Sequence, residues 1–291
     1  MELLRALAVM CEPPADGHAR LAAALDLPAA PTAAEHTGVF VLELPPYASI
    51  HLGPEGMLGG EAGDRIAGFW RALGLVPPAE PDHLAALLGL YAGLAEDEAV
   101  QAAPARRAMR RQARAALLHE HLLSWLDPWL AKLAQVGPPV YAAWGELLAT
   151  VLRSEAEALL SGTEPLPAHL AAAPALEPPS VTGGGAFLDA LLAPARSGLV
   201  LVREDLARAA PELGLALRVA ERRFVLRNLL AQDAMATLAW LEGESRRAAE
   251  RPALAAPPVV ERFWQERARA TAEVLADAAA ATHEREVSHV G

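Results

Sequence analysis

The sequence predicts an all-α protein, and three observations indicate this class. Apolar residues recur at helical spacing along most of the 291 residues. No stretch sustains the alternation of apolar and polar residues that marks a half-buried strand, and β-branched residues are sparse. The one strand-like run is GVFVLEL at 38–44. We therefore expect a helical bundle with an additional small helical region at the C-terminal end.

The helices follow one another along the chain with short connections. The clearest is PDHLAALLGLYAGL, in which Leu84, Leu87, Leu88, Tyr91 and Leu94 form one apolar stripe. The predicted helices cover about 17–26, 33–42, 60–74, 83–95, 102–135, 138–161, 185–193, 203–210, 215–230, 232–249 and 258–280.

Two segments interrupt the helical pattern. The stretch LPPYASIHLGPEGMLGG at 44–60 holds a Pro pair and four glycines, so we expect a loop that crosses the helical body. The stretch AAAPALEPPSVTGGGAF at 171–187 reads as a linker. The predicted domains are therefore a helical domain over 1–175, a Pro/Gly-rich linker over 176–186 and a helical extension over 187–291.

Charge and composition exclude several classes of protein. The net charge is −11, and residues 1–175 hold 20 acidic against 11 basic residues. An acidic body disfavours nucleic acid and suits a cationic partner. No run of about 18 residues lacks charge, so we expect no membrane span, and the N-terminal residues lack the features of a signal peptide. With Cys11 as the single cysteine, we expect no disulfide and a cytoplasmic protein.

Candidate catalytic and metal motifs fail on their context. The stretch GPEGMLGG lacks the Lys-Ser/Thr of a phosphate-binding loop. In HEH at 119–121, two histidines two residues apart on a helix point to nearly opposite sides, so we expect one buried and one solvated. We therefore predict no metal, no cofactor and no catalytic residue. A metal-dependent hydrolase around His119 and His121 is the weakest alternative.

Two arginine-rich segments raise the question of an anionic partner. The run RRAMRRQAR carries Arg106, Arg107, Arg110, Arg111 and Arg114 on one helical face, which is most simply a solvated face. Residues 202–230 resemble a helix, a turn and a basic second helix, with six arginines against four acids over 203–227. A helix-turn-helix DNA-binding regulator that uses 202–230 is therefore the alternative function.

The segment AEPDHLAALL marks a helix start. Pro81 lies just before the predicted helix, and Asp82 is of the residue type that caps helix N-termini. Three motifs then occur in an order that resembles the TorD/DmsD family of molybdoenzyme maturation chaperones. They are VFVLELPPYASIHLGPEGMLGGE at 39–61, AEPDHLAALLGLYAGL at 79–94, and LLHEHLLSWLDPWLAKL at 117–133 followed by VYAAWGELL at 140–148.

The resemblance implies a cytoplasmic, all-helical chaperone rather than an enzyme. Its client would be the catalytic subunit of a molybdopterin oxidoreductase, held by its twin-arginine leader or its cofactor-free body until the cofactor is inserted. The loop at 44–60 would line the client groove, and the protein would be a monomer or dimer. The residues implied in client binding are Phe40, Pro46, Tyr47, Ser49, Pro81, Asp82, His83, His121 and Trp125.

Overall fold

A computed structural model describes residues 1–218 and 220–290, and it confirms the all-α class. Within these residues helices connect directly to helices, and the only strand-like pairing is an isolated antiparallel bridge between Tyr47 and His83. The chain divides into two compact units. The first unit comprises Met1–Leu52, Leu58–Ala171 and Ala253–Glu261. The second comprises Gly53–Met57, Ala172–Pro252 and the residues from Arg262 on.

The first unit holds the helices that the sequence predicts between 17 and 161, and a further N-terminal helix. Its elements are α1 (Glu2–Met10), α2 (His18–Ala24), α3 (Ala33–His36), π1 (Thr37–Glu43), α4 (Ala48–Leu52), α5 (Gly60–Ala72), α6 (Leu84–Val100), α7 (Pro104–Ala116), π2 (Leu117–Leu122), α8 (Leu123–Val136), α9 (Pro139–Leu159) and α10 (Ala168–Ala172). Helix α1 packs on α6, and α8 packs on α9.

The core of the first unit is built around aromatic side chains. Trp125, Trp129 and Trp144 are completely buried. Phe40 lies among them, with its ring 6.0 Å from the ring of Trp129 and 4.7 Å from that of Tyr141. Such offset and edge-to-face contacts add to the burial energy of large rings.

Two π-helical segments replace regular helix in the first unit. The strand-like run at 38–44 lies mostly in π1 and packs as helix, with Val39 and Phe40 buried, in agreement with the helix predicted over 33–42. The single helix predicted over 102–135 is divided by π2. A π-turn holds an extra residue and therefore changes which side chains face the core.

The segment 253–261 belongs to the first unit through a buried carboxylate. Asp127 on α8 accepts hydrogen bonds from the backbone amides of Leu254, Ala255 and Ala256 at 2.7–2.8 Å. Arg153 on α9 donates to the carbonyl of Leu254. Bonds to a charged acceptor are stronger than neutral ones, so Asp127 fixes this segment on the helical domain.

The second unit is helical and has its own apolar core. Its elements are α11 (Pro179–Thr182), α12 (Gly184–Leu191), α13 (Pro194–Ser197), α14 (Arg203–Glu212), α15 (Arg222–Gln232), α16 (Ala234–Glu250) and α17 (Pro258–Val290). Leu191, Leu206, Leu226, Leu241 and Leu275 are completely buried in this core.

One glycine has a fixed role in the second unit. Gly198 follows α13 with a φ of 74°, a conformation that side-chain-bearing residues rarely adopt. A Cβ at this position would lie 2.4 Å from the backbone nitrogen of Ala268. The close approach of these two backbones therefore requires glycine.

Candidate functional site

The interrupting loop is joined to the start of α6 by backbone hydrogen bonds. The amide of Ala48 donates to the carbonyl of Asp82 at 3.0 Å, and the amide of Leu84 donates to the carbonyl of Pro46 at 2.9 Å. These bonds flank the bridge between Tyr47 and His83. The interior of a helix could not form such hydrogen bonds to a neighbouring segment, because its amides and carbonyls bond to one another. The break at 44–60 therefore lets the loop pair with the N-terminal end of α6.

Asp82 fixes this junction and does not cap the helix, so the prediction that it is the N-cap is wrong. Its buried carboxylate accepts a hydrogen bond from the amide of Ser49 at 3.1 Å. The cap is His83, whose Nδ1 accepts from the amide of Ala85 at 3.2 Å. Ser49 continues the network, because its hydroxyl oxygen accepts from the amide of Gly59 at 3.0 Å.

A pocket of about 490 Å³ lies beside this junction. Residues of α1 and the segment before α6 line it together with the first turn of α6. Its apolar lining includes Ala8, Val9 and Ala86, and its carboxylates are Glu12 and Glu80. The pocket is therefore an apolar surface with two acidic groups.

The titratable groups beside the pocket favour a net negative charge. Burial lowers the pKa of His83 below its usual value and outweighs the nearby carboxylates of Glu12, Glu80 and Asp82, which act in the opposite direction. Burial, together with a hydrogen bond to Glu80, raises the pKa of Tyr47 to about 12. Because the imidazole of His83 and the phenol of Tyr47 are then neutral, the charge beside the pocket comes from the carboxylates. This arrangement suits a cationic side chain with an apolar stem.

The structure brings together six of the predicted site residues. They lie at the junction of the loop with α6 and are Pro46, Tyr47, Ser49, Pro81, Asp82 and His83. The carbonyl of Pro81 accepts a hydrogen bond from the indole of Trp70 at 3.2 Å. The ring of Tyr47 meets the ring of His83 edge to face, with centroids 4.8 Å apart. Tyr47, Pro81 and His83 are only partly buried and reach the surface.

The other three predicted residues lie inside the first unit. Phe40 and Trp125 belong to the aromatic core, and the ring of Trp125 stacks on that of His51 at 5.1 Å. His121 is also buried. These side chains therefore support the fold around the junction and have no surface through which to touch a client in this conformation.

Both histidines of the HEH motif are buried, so the prediction of one solvated histidine is wrong. The reason is that residues 117–133 are buried except for Glu120, so the helix has no solvated side at this point. His119 donates to the carbonyl of Pro165 at 2.8 Å, and Glu120 accepts from the amide of Ala168 at 2.8 Å. His121 lies against the ring of Phe69 and 5.8 Å from that of His169. The motif therefore holds the segment 165–169.

Neither a metal centre nor a nucleic-acid surface finds support. In the part of the chain that the structure describes, no group of three or more His, Cys, Asp or Glu residues is placed to hold a metal ion. In 202–230, Arg208 pairs with Glu244, Arg222 donates to the carbonyl of Leu201, and Arg223 forms two bonds to Asp189. The partners of these three arginines all lie in the second unit. Across the described residues, none of the helices has the length and apolarity needed to cross a membrane.

Four of the five arginines of α7 likewise have partners within the protein. The helix has no buried residue, in accord with a solvated face. Arg110 lies 3.7 Å from Asp97, and Arg114 lies 3.2 Å from Glu98, on the neighbouring helix α6. Arg114 also covers the ring of Tyr91. These ion pairs therefore join α7 to α6.

The two carboxylates of the pocket were not predicted from the sequence. Glu80 precedes Pro81 in the quoted motif, and its position before a capped helix was the available signal. Glu12 follows α1, and its approach to His83, with Oε1 3.9 Å from Nδ1, depends on how α1 packs on α6. That packing is a tertiary contact that local spacing does not reveal.

The helical body, its crossing loop and the capped corner at 79–84 are consistent with a helical domain of the TorD type. Residues 10–131 match the family model described as nitrate reductase delta subunit, a TorD-family domain of molybdoenzyme maturation. For these residues the match confirms the resemblance found in the sequence. No curated protein and no solved structure matches the chain.

Proposed function

We propose that the protein is a cytoplasmic chaperone for the catalytic subunit of a molybdopterin oxidoreductase. It would hold this client, by its twin-arginine leader or its cofactor-free body, during cofactor insertion and before export. The match of residues 10–131 to a family of maturation chaperones supports the class of client. It also favours a binding protein over an enzyme.

The observation that carries the finer proposal is the acidic pocket beside the junction. The carboxylate residues Glu12 and Glu80 line this pocket together with the small apolar side chains of Ala8, Ala85 and Ala86. The planar guanidinium of arginine pairs well with carboxylates, and its three-carbon stem suits an apolar surface. An arginine of the leader would therefore bind here.

Apolar side chains near the pocket suit the part of the leader that follows its arginines. Val9 lines the pocket and is 44% exposed, and Val76, near the lining residue Pro78, is 89% exposed. Tyr47 adds a partly buried ring close by. Binding of an apolar stretch would remove these surfaces from water.

A peptide titration tests the proposal. The probe is a fluorescent peptide with two consecutive arginines followed by an apolar stretch, and its anisotropy reports binding. Replacing both carboxylates (Glu12→Gln with Glu80→Gln) should weaken binding about tenfold, because each exposed ion pair contributes up to about 1 kcal/mol. Added salt should also weaken binding, since it screens these charges.

Two controls make the titration specific. Glu146→Gln removes one charge from an exposed position on α9, away from the pocket, and should leave the affinity within twofold. A peptide with glutamines in place of its arginines should bind the wild type as weakly as the double variant binds the original. Equal binding of the arginine peptide by the wild type and the double variant would place the leader site elsewhere.

A further inference from the structure

The second unit contains a pocket that lies outside the family match. Its volume is about 840 Å³, which is within the usual range for small-molecule sites. The residues before and within α12 line it, together with side chains of α15, α16 and α17. All of these residues follow residue 131, where the family match ends.

The walls of this pocket are the apolar core of the second unit. Phe187, Leu188 and Leu238 are buried members of that core and also line the pocket. Leu230 and Ala278 pack against the same core and line it as well. A ligand would therefore meet apolar side chains along part of the wall, and its apolar part would leave water on binding.

The two arginines that line the pocket differ in whether a carboxylate of the protein binds them. Arg223 is held by Asp189 through two hydrogen bonds. Arg227 is exposed and stacks on the ring of Phe224 at 5.3 Å, and among the described residues no carboxylate lies within ion-pair distance of it. A guanidinium has five N–H donors and no acceptor. Arg227 therefore offers its donors to a carboxylate that the described residues of the unit do not supply.

We propose that this pocket binds an amphipathic carboxylate, with its alkyl chain against the apolar walls and its carboxylate on Arg227. An alkyl chain has no polar group to satisfy inside the pocket. An inserted peptide segment would bring amides against apolar walls, and each amide left without a hydrogen bond is costly. The exposed carboxylate of Asp277 also lines the pocket, so a cationic head group is the competing possibility that the test must separate.

The probe is dodecanoate, titrated calorimetrically into the full chain below its micelle concentration. We expect one molecule per chain. Arg227→Gln should weaken binding about tenfold, and Arg246→Gln should not change it, because Arg246 is exposed on α16, pairs with Glu242 and does not line the pocket. Ala281→Trp places an indole in the pocket from an exposed position and should abolish binding.

Head-group analogues decide the chemistry. Dodecanol and dodecylammonium should each bind at least tenfold more weakly than dodecanoate. Equal or tighter binding of either analogue would overturn the assignment of the carboxylate to Arg227. Failure of dodecanoate to bind, or unchanged binding by Ala281→Trp with an unchanged circular dichroism melt, would overturn the pocket itself. These outcomes are independent of the leader peptide, whose proposed site lies in the first unit.

Discussion

Two buried histidines give the first unit a dependence on pH. Burial, aided by the charge of Arg65, lowers the pKa of His121 to about 3 and that of His169 to about 4. The charge of His169 also lowers the pKa of His121. Glu61 acts in the opposite direction on the pKa of His169. Both rings are therefore neutral in the folded protein at pH 7.

This lowering predicts how stability changes in acid. Between about pH 6.5, the ordinary pKa of histidine, and pH 4, the unfolded chain binds a proton at His169 that the folded protein does not. The contribution of neutral His169 to the stability of the folded protein is thus complete above pH 6.5 and is lost as the pH falls. For His169 the loss between pH 7 and pH 5 is about 2 kcal/mol.

Replacing His169 isolates this effect from all other titrating groups. His169→Gln removes the proton site, so the unfolding free energy of the variant should fall about 2 kcal/mol less than that of the wild type between pH 7 and pH 5. Urea unfolding followed by tryptophan fluorescence measures the difference. An exposed histidine on the second unit, changed as His283→Gln, is the matched control and should leave the fall unchanged. Equal falls for His169→Gln and the wild type would mean that His169 titrates normally in the folded state.

At the scale of elements, the junction between the loop and α6 depends on one carboxylate. Asp82→Ala removes the acceptor for the buried amide of Ser49. A buried donor left without a partner costs about 1–3 kcal/mol, so the first unit should unfold at correspondingly lower urea concentration.

The matched control for this prediction lies on the same helix. Asp97 is exposed on α6, with Arg110 at 3.7 Å, so Asp97→Ala should change stability by less than about 1 kcal/mol. Indistinguishable unfolding curves for the two variants would show that Asp82 does not hold the loop.

The sequence predicted elements that depend on local spacing. The stripe from Leu84 to Leu94 forms the buried face of α6 as expected. Helix α1 escaped prediction although Leu4, Leu7 and Ala8 are buried at the spacing of a helical face. The π-turns were not foreseen, since one extra residue in a turn leaves no mark on composition.

The site was predicted only in part, for a related reason. The motif order located the loop and the corner at 79–84, but residue type alone suggested Asp82 as the cap. The structure gives that role to His83 because the carboxylate of Asp82 has a tertiary partner in Ser49. Competition between a local and a distant hydrogen bond is decided by the fold.

For the molecule as a whole, we propose that residues 1–175 fold without the rest and that 176–186 act as a linker. Limited proteolysis should then cut first within 176–186. The fragment 1–175 should melt cooperatively but at lower temperature than the first unit of the full chain, because it lacks the segment 253–261 that Asp127 binds. If the fragment does not melt cooperatively, the helical domain does not end at residue 175.

The substitution Asp127→Ala tests how much the segment 253–261 stabilises the helical domain. In the full chain the substitution removes hydrogen bonds from three backbone amides to a charged acceptor, which should cost about 3 kcal/mol or more. In the fragment 1–175 those amides are absent, so the same substitution should cost much less. Equal costs in the two backgrounds would mean that Asp127 stabilises the helical domain through other contacts.

The central claim is that the protein binds the immature form of a molybdenum-cofactor oxidoreductase. The most direct measurement is the affinity of the full chain for the catalytic subunit of such an enzyme from the same organism, prepared with and without its cofactor. The account predicts binding to the cofactor-free subunit, weakened by Glu12→Gln with Glu80→Gln and not by Glu146→Gln, and at least tenfold weaker binding to the loaded subunit. Equal affinity for the two forms, or binding to neither, would contradict the account.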